Sequence, residues 1–275
     1  MTVIGFGCSR NLSQAEQSSL WEFRERLLSI RWVTEANDSI VVPRRIASQD
    51  PVFPGMRRSE LLPDRWQTTK SGLHKANGLA IHADRSASEH AAIREIVERA
   101  ALFRLWYSSE VFKLEFQESL ALPGSLTLSS YWGLVGTDDY LCISVIEGED
   151  VFVIGSAIRD LLEPALEHSQ AEALMVAEGV IGKMESPYVK ASSTTKLGSL
   201  SGPLAKDRRR YFAELVERCT ESTAPRRLEF SRDDILLYPL ISWEGAYLTR
   251  AIIDRGNLSV PLNGVPVNVP VDPFV

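Results

Sequence analysis

The sequence predicts a mixed α/β (α+β) chain organised around duplicated strand–helix units, and three observations lead there. Residues 5–26, GFGCSRNLSQAEQSSLWEFRER, and residues 78–99, GLAIHADRSASEHAAIREIVER, align without a gap at an offset of 73. Each copy reads as a glycine-led extended segment followed by a helix. Further segments with strand character follow the second copy and recur near the end of the chain. With 275 residues and 44% hydrophobic content, the chain can bury a sizeable core. A single domain over residues 1–275 is expected, closed by an extended tail over residues 260–275.

Composition narrows the function classes. There are 36 acidic against 30 basic side chains, a net charge of −6. That balance excludes partners needing a broad positive surface, such as nucleic acid or an anionic membrane. Cys8, Cys142 and Cys219 are far apart and form no CxxC. Such spacing fits reduced thiols in a cytoplasmic protein and argues against a zinc site. No basic-then-apolar leader opens the sequence, and no run of about 18 apolar residues occurs, so neither secretion nor membrane spanning is expected.

In the repeat, offset 73 pairs Gly5 with Gly78, Ser13 with Ser86 and Glu16 with Glu89. It also pairs Glu22 with Glu95, Glu25 with Glu98 and Arg26 with Arg99. Ser13 and Ser86 read as helix caps, each with a glutamate three residues on to complete a capping box. The first helix is expected from Gln14 to Ile30, with Ser18, Glu22, Glu25 and Ser29 on one side and Leu20, Phe23, Leu27 and Ile30 on the other. The second, Ala87 to Tyr107, carries apolar residues on both faces and should be buried all round.

Between the copies, Ser39 to Val42 reads as a short strand among prolines 43, 51, 54 and 63, in a basic connection carrying Arg44, Arg45, Arg57, Arg58 and Arg65. Strands are then expected at Leu126 to Tyr131, Tyr140 to Ile146 and Val151 to Ile154, with Gly155 at a strand end. A helix should begin near Pro164, with His168 on its surface, and another should run from Lys206 to Cys219. Residues 186–203 are Ser/Thr/Gly-rich and read as a mobile loop. Strands at Ile235 to Trp243 and Ala246 to Ile253 precede the tail, whose prolines 261, 266, 270 and 273 forbid a helix.

Two helices with Glu-x-x-Glu-Arg at matched positions can face one another and present four carboxylates to one cavity. Carboxylates on a buried helix need cations, because desolvation otherwise neutralises them. Hard divalent ions such as Mg²⁺ accept carboxylate and phosphate oxygens, and with Arg26 and Arg99 they could neutralise a triphosphate. The structural alternative is internal bridging, Glu22 to Arg26 and Glu95 to Arg99 at i+4. A ferritin-like di-iron centre would need Glu-x-x-His, and neither helix has it.

These residues resemble a family. SSLWEFRER and NGLAIHADRSASEHAAIREIVER are similar to the two ATP-site helices of the YcaO family. IGSAIRDLLEPALEHSQAEAL resembles its later Gly-Ser-Ala segment and the following helix, and VPVDPFV its proline-rich C-terminus. The chain begins just before the first motif and the interval between motifs is short, so a compact member is implied. The resemblance implies a YcaO-like fold and an enzyme that binds ATP and Mg²⁺. It implies phosphorylation of a peptide amide oxygen, giving an azoline or, with external sulfide, a thioamide, in maturation of a ribosomally made peptide. Residue by residue it assigns Glu22, Glu25, Glu95 and Glu98 to metal, and Ser18, Arg26 and Arg99 to the nucleotide. Of Arg208, Arg209 and Arg210, it gives Arg210 a phosphate-binding role, and it places Pro273 and Phe274 of the tail at the catalytic centre. A precursor peptide and a separate leader-peptide-binding or sulfur-delivery protein are the implied partners. The alternatives are a non-catalytic scaffold or regulatory subunit, and a structural protein whose helices are merely salt-bridged.

Overall fold

The computed structural model describes residues 11–34, 39–46, 48, 50–52, 54–57, 61, 78–107, 112–136, 138–184, 203–221 and 225–253. The Gly5-led segment, Cys8, Arg58, Arg65, the 186–202 stretch and the 260–275 tail with Pro273 and Phe274 lie outside them. In chain order the elements are α1 (Leu12–Thr34), β1 (Ile40–Val41), β2 (Arg44–Arg45), β3 (Met56–Arg57), β4 (Leu79–His82), α2 (Arg85–Tyr107), β5 (Glu115–Leu122), β6 (Leu126–Val135), β7 (Asp139–Glu147), β8 (Phe152–Arg159), α3 (Leu162–Met184), α4 (Pro203–Thr220), β9 (Arg227–Leu228), β10 (Ile235–Trp243) and β11 (Ala246–Ile253). No helix is long and apolar enough to cross a membrane among the described residues.

Both helices of the repeat start and end at offset 73, Leu12 with Arg85 and Thr34 with Tyr107. The caps, however, are not Ser13 and Ser86. Asn11 Oδ1 accepts from the Ser13 amide at 3.0 Å, and Asp84 Oδ1 accepts from the Ala87 amide at 2.8 Å. Asn11 and Asp84 are themselves matched at the repeat offset, so the duplication extends to the cap while the Ser-x-x-Glu signal sits inside the first turn. An Asn or Asp two residues earlier offers the orphan amides an equally good acceptor, and the helix begins there.

The chain condenses into two compact units: Met1–Ala100 with Phe230–Leu262, and Ala101–Glu229 with Asn263–Val275. In the first, β2, β10, β11 and β4 form an antiparallel sheet in that order, and β1 pairs with β3. Alternation along the strands divides its core in two. Leu79, Ile81, Leu236, Tyr238 and Leu248 pack with Leu28 and Trp32 of α1, whereas Ala80, Ile235, Leu237 and Ala251 pack with Ala92 and Ile96 of α2. The helices therefore cover opposite faces of one sheet and do not lie face to face as the repeat suggested. Their packing needs Gly78: its φ is +74°, and a Cβ there would lie 2.2 Å from the Ala251 carbonyl and 3.1 Å from Ile96.

The stripe that α1 buries also differs from expectation. Leu20 is 49% exposed, while Leu28 and Trp32 are buried and Trp21 packs against them. The buried stripe is Trp21–Glu25–Leu28–Trp32, because two tryptophans remove more apolar surface than Leu20 and Ile30 could. Glu25 is drawn inward with it. In α2, residues 92, 96, 98 and 100 are buried but Arg85, Ser86 and His90 are exposed, so its first turns are not buried all round.

In the second unit β5, β6, β7 and β8 form an antiparallel sheet in that order, with β9 pairing parallel to β6. Leu128, Ile146, Val151 and Val153 pack beneath Ala173, Ala177 and Val180 of α3. Phe212 of α4 meets Tyr131 and Phe152. Gly155 is not at a strand end: β8 runs on to Arg159, and a Cβ on Gly155 would lie 2.2 Å from the Ser169 carbonyl and 2.3 Å from the Ala173 amide. It is the point where α3 lies against the strand. β5 has no counterpart in the sequence expectations. His168 is exposed, as expected.

Candidate functional site

The acid residues of α1 and α2 form one electrostatically linked set within the first unit. Glu22 and Arg26 make an i,i+4 ion pair, the bridge anticipated from spacing. Burial first and Glu22 second push the Glu25 carboxyl up from 4.5 to about 8, against the opposing pull of Arg26. Glu95 is raised well above the ordinary carboxylate range, first by burial and then by Glu25; Arg99 and Arg250 lower it, and Glu98 raises it again. Glu98 is 8% exposed. Four carboxylates from two helices are thus coupled in series, Glu22 to Glu25 to Glu95 to Glu98. Burial, the largest cause of each rise, outweighs the pull of the arginines on Glu25 and Glu95.

Arg250 was missed by sequence reasoning. It sits in β11 opposite Leu79 of the edge strand, fully buried, and donates a hydrogen bond to the Leu61 carbonyl. Burial lowers its guanidinium to about 10, opposed by Glu95. The available signal was one arginine within the apolar strand AYLTRAII, at a position whose alternation points it inward. On α2, buried Ser88 fixes the helix to the sheet, donating to the Ala80 carbonyl at 3.0 Å and to Thr249 Oγ1 at 2.9 Å.

The remaining candidates are placed as follows. Ser18 is exposed on α1, one turn before Glu22, and Arg99 is half-buried on α2. In the second unit Arg210 is exposed and paired with Asp207 at 3.5 Å, Arg209 donates to the Gly148 carbonyl at 2.6 Å, and Arg208 is buried. Pro273 and Phe274 lie outside the described residues. Among the described residues, no three His, Cys, Asp or Glu side chains converge as a ready-made metal cage. The donor set still suits a hard cation: all-oxygen ligands on carboxyls that burial leaves ready to exchange a proton for a cation.

The second unit holds a different buried polar cluster, also unforeseen. Ser130 and Ser144 Oγ atoms lie 3.1 Å apart, Ser144 and Ser169 2.8 Å apart, and Gln170 Nε2 donates to Ser130 at 3.1 Å and to Glu118 at 2.6 Å.

No family model and no curated protein matches the sequence. Solved structures do match. One is a YcaO from Methanopyrus kandleri bound with AMPPCP and Mg²⁺, 15% identical over 97% of this chain and 82% of that one, with a TM-score of 0.58. Another is the E. coli microcin synthetase McbBCD complex, 11% identical over 96% of this chain and 89% of that one, with a TM-score of 0.61. A third, a heterocyclase in complex with substrate and cofactor, is 13% identical over 90% of this chain and 44% of that one, with a TM-score of 0.58. The chain has the fold of the YcaO and heterocyclase structures.

Proposed function

We propose that the chain is a YcaO-family enzyme that uses Mg²⁺ and ATP to activate backbone amides of a precursor peptide. The observation that carries this reading is the serial coupling of Glu22, Glu25, Glu95 and Glu98 from two matched helices. Support comes from the shared fold with a YcaO that binds AMPPCP and Mg²⁺. The four glutamates would hold Mg²⁺, and Ser18, Arg26, Arg99 and Arg210 would contact phosphate. When bound, the metal ions neutralise triphosphate charge and polarise the γ-phosphoryl group. Arg250, held on the sheet, keeps positive charge beside Glu95 so that the acids can assemble before any ion arrives. The amide oxygen accepts the phosphoryl group. A neighbouring Cys, Ser or Thr side chain, or sulfide, attacks the amide carbon, and phosphate leaves with the original oxygen, giving azoline or thioamide. Pro273 and Phe274 are proposed to lie at that centre, and a separate protein to deliver the leader peptide or sulfur. The McbBCD structure is itself a multiprotein complex, which supports such a partner.

The test is calorimetric titration with ATP, with and without Mg²⁺, beside Glu95→Gln/Glu98→Gln. Mg²⁺-dependent binding is expected in the parent and a loss of about a hundredfold or more in the variant. Equal binding by both would sink the reading. The second reading is a non-catalytic scaffold of the same fold; turnover of ATP with a purified precursor peptide would exclude it.

A further inference from the structure

His82 is assigned no role by the proposed chemistry, yet it contacts both α1 and the cap of α2. It ends β4, the edge strand of the first unit's sheet, opposite Tyr247 of β11. Its ring lies within 3° of parallel to the indole of Trp21 in α1, with centroids 5.9 Å apart, the geometry of an offset stack. Its Nδ1 accepts a hydrogen bond from the Asp84 amide at 3.0 Å, and Asp84 Oδ1 in turn caps α2 at the Ala87 amide. One exposed side chain thus joins the flank of α1 to the start of α2.

The acids sit where that join matters. Trp21 immediately precedes Glu22 and lies one turn before Glu25 on the same stripe of α1. Leu28 and Trp32 hold the later part of that helix in the core, whereas from Leu12 to Leu20 no residue is buried. Glu22 and Glu25 therefore lie between two anchors, and Trp21, packed on the same core and stacked on His82, is the earlier one. α2 has its own seat, because Ser88 bonds to the Ala80 carbonyl and to Thr249. Ala80 and His82 belong to one strand, so β4 is the reference from which both helices are placed. Groups that hold ligands in place govern metal affinity, since carboxylates that drift must be ordered again when an ion binds.

We propose that His82 is a positioning residue: through its stack with Trp21 and its bond to the Asp84 amide it fixes the spacing between the Glu22–Glu25 pair and the Glu95–Glu98 pair. Its effect on ligand binding rests on the reading of those acids as a Mg²⁺ and ATP site; the join itself does not.

The test is calorimetric titration of the full chain with Mg-ATP beside amide hydrogen exchange, for the parent, His82→Ala, His82→Phe and His82→Asn. Phenylalanine keeps a ring for Trp21 without the acceptor, and asparagine keeps an acceptor without the ring. Mg-ATP binding is expected to weaken about tenfold or more in His82→Ala and by less in the other two. The ligand-free Tm should stay close to the parent's, because the side chain is exposed. Exchange should quicken in residues 12–25 of His82→Ala and His82→Asn, and from Asp84 to Ser88 in His82→Ala and His82→Phe, with residues 28–34 unchanged. Parent-like Mg-ATP binding by His82→Ala, or exchange that quickens evenly along both helices, would overturn the proposal; the Phe and Asn variants decide it if His82→Ala unfolds. A parent that binds no Mg-ATP would instead sink the reading of the acid site, and the exchange pattern would still decide whether His82 joins the two helices.

Discussion

The two compact units bury polar groups in opposite ways. In the second, Ser130, Ser144, Ser169 and Gln170 are neutral and hydrogen-bonded to one another in the core. In the first, burial raises the Glu25 and Glu95 carboxyls well above their ordinary range, and Glu25 raises Glu95 in addition. The neutral cluster is satisfied by the protein alone and fixes how α3 seats on its sheet. The carboxyl cluster carries a desolvation cost that stability alone would not select, and a buried group of that kind points to a ligand.

The sharpest way to break this contrast is Glu25→Gln. Its folded carboxyl titrates near 8 against an ordinary 4.5, so the folded state holds a proton that the unfolded chain has released. The group's stabilising contribution is full below pH 4.5 and is lost as pH rises through about 8. Glu25→Gln should therefore raise the Tm of the ligand-free protein at pH 8 to 9 by several degrees, on the order of a few kcal/mol, and flatten its fall with pH. The same variant should weaken Mg²⁺-dependent ATP binding. Thermal melts across pH 5 to 9 with and without Mg-ATP check both; a lower Tm at pH 9 would remove the strain argument.

Ser144→Ala should act in the other direction. It leaves Ser130 and Ser169 each short of a buried partner and should cost about 1–3 kcal/mol in urea unfolding, by a similar amount at pH 6 and pH 8, with ATP titration unaltered. A strongly pH-dependent loss would mean that this cluster, too, answers to a charge. The smallest effect is expected at the caps. Asn11→Ala and Asp84→Ala should each lower stability by about 1 kcal/mol, whereas Ser13→Ala and Ser86→Ala should change it by only a few tenths. The reverse ranking would restore the serines as caps.

Much of this was legible in the residues. The repeat located both helices, although α1 runs from Leu12 to Thr34 beyond the expected Gln14 to Ile30 and α2 starts two residues early at Arg85, and the strands Ile235–Trp243 and Ala246–Ile253 meet at the tight Glu244–Gly245 turn, where both residues take positive φ. The strand β5 was not readable, because EFQESLAL is exposed along most of its length and leaves no one-sided apolar pattern. Gly155 was read as punctuation when it marks close helix approach, since a glycine's neighbours across space are invisible in sequence. The four glutamates were singled out by the repeat. Arg250 was not, because its link to Glu95 is made by pairing strands far apart in the chain, and the charge balance counted from the repeat alone was therefore one cation too low.

That pairing of β4 with β11, Leu79 opposite Arg250, also sets a timetable for biosynthesis. The edge strand leaves the ribosome roughly 170 residues before its partner, a wait on the order of ten to thirty seconds at ordinary elongation rates. During that interval residues 101–229 of the second unit are synthesised, while α1, α2 and their carboxylates lack both the sheet between them and its buried cation. The grouping of the acids is thus among the last things the nascent chain completes, and a chain stalled before β11 would carry residues 101–229 of the second unit without the sheet that places those acids.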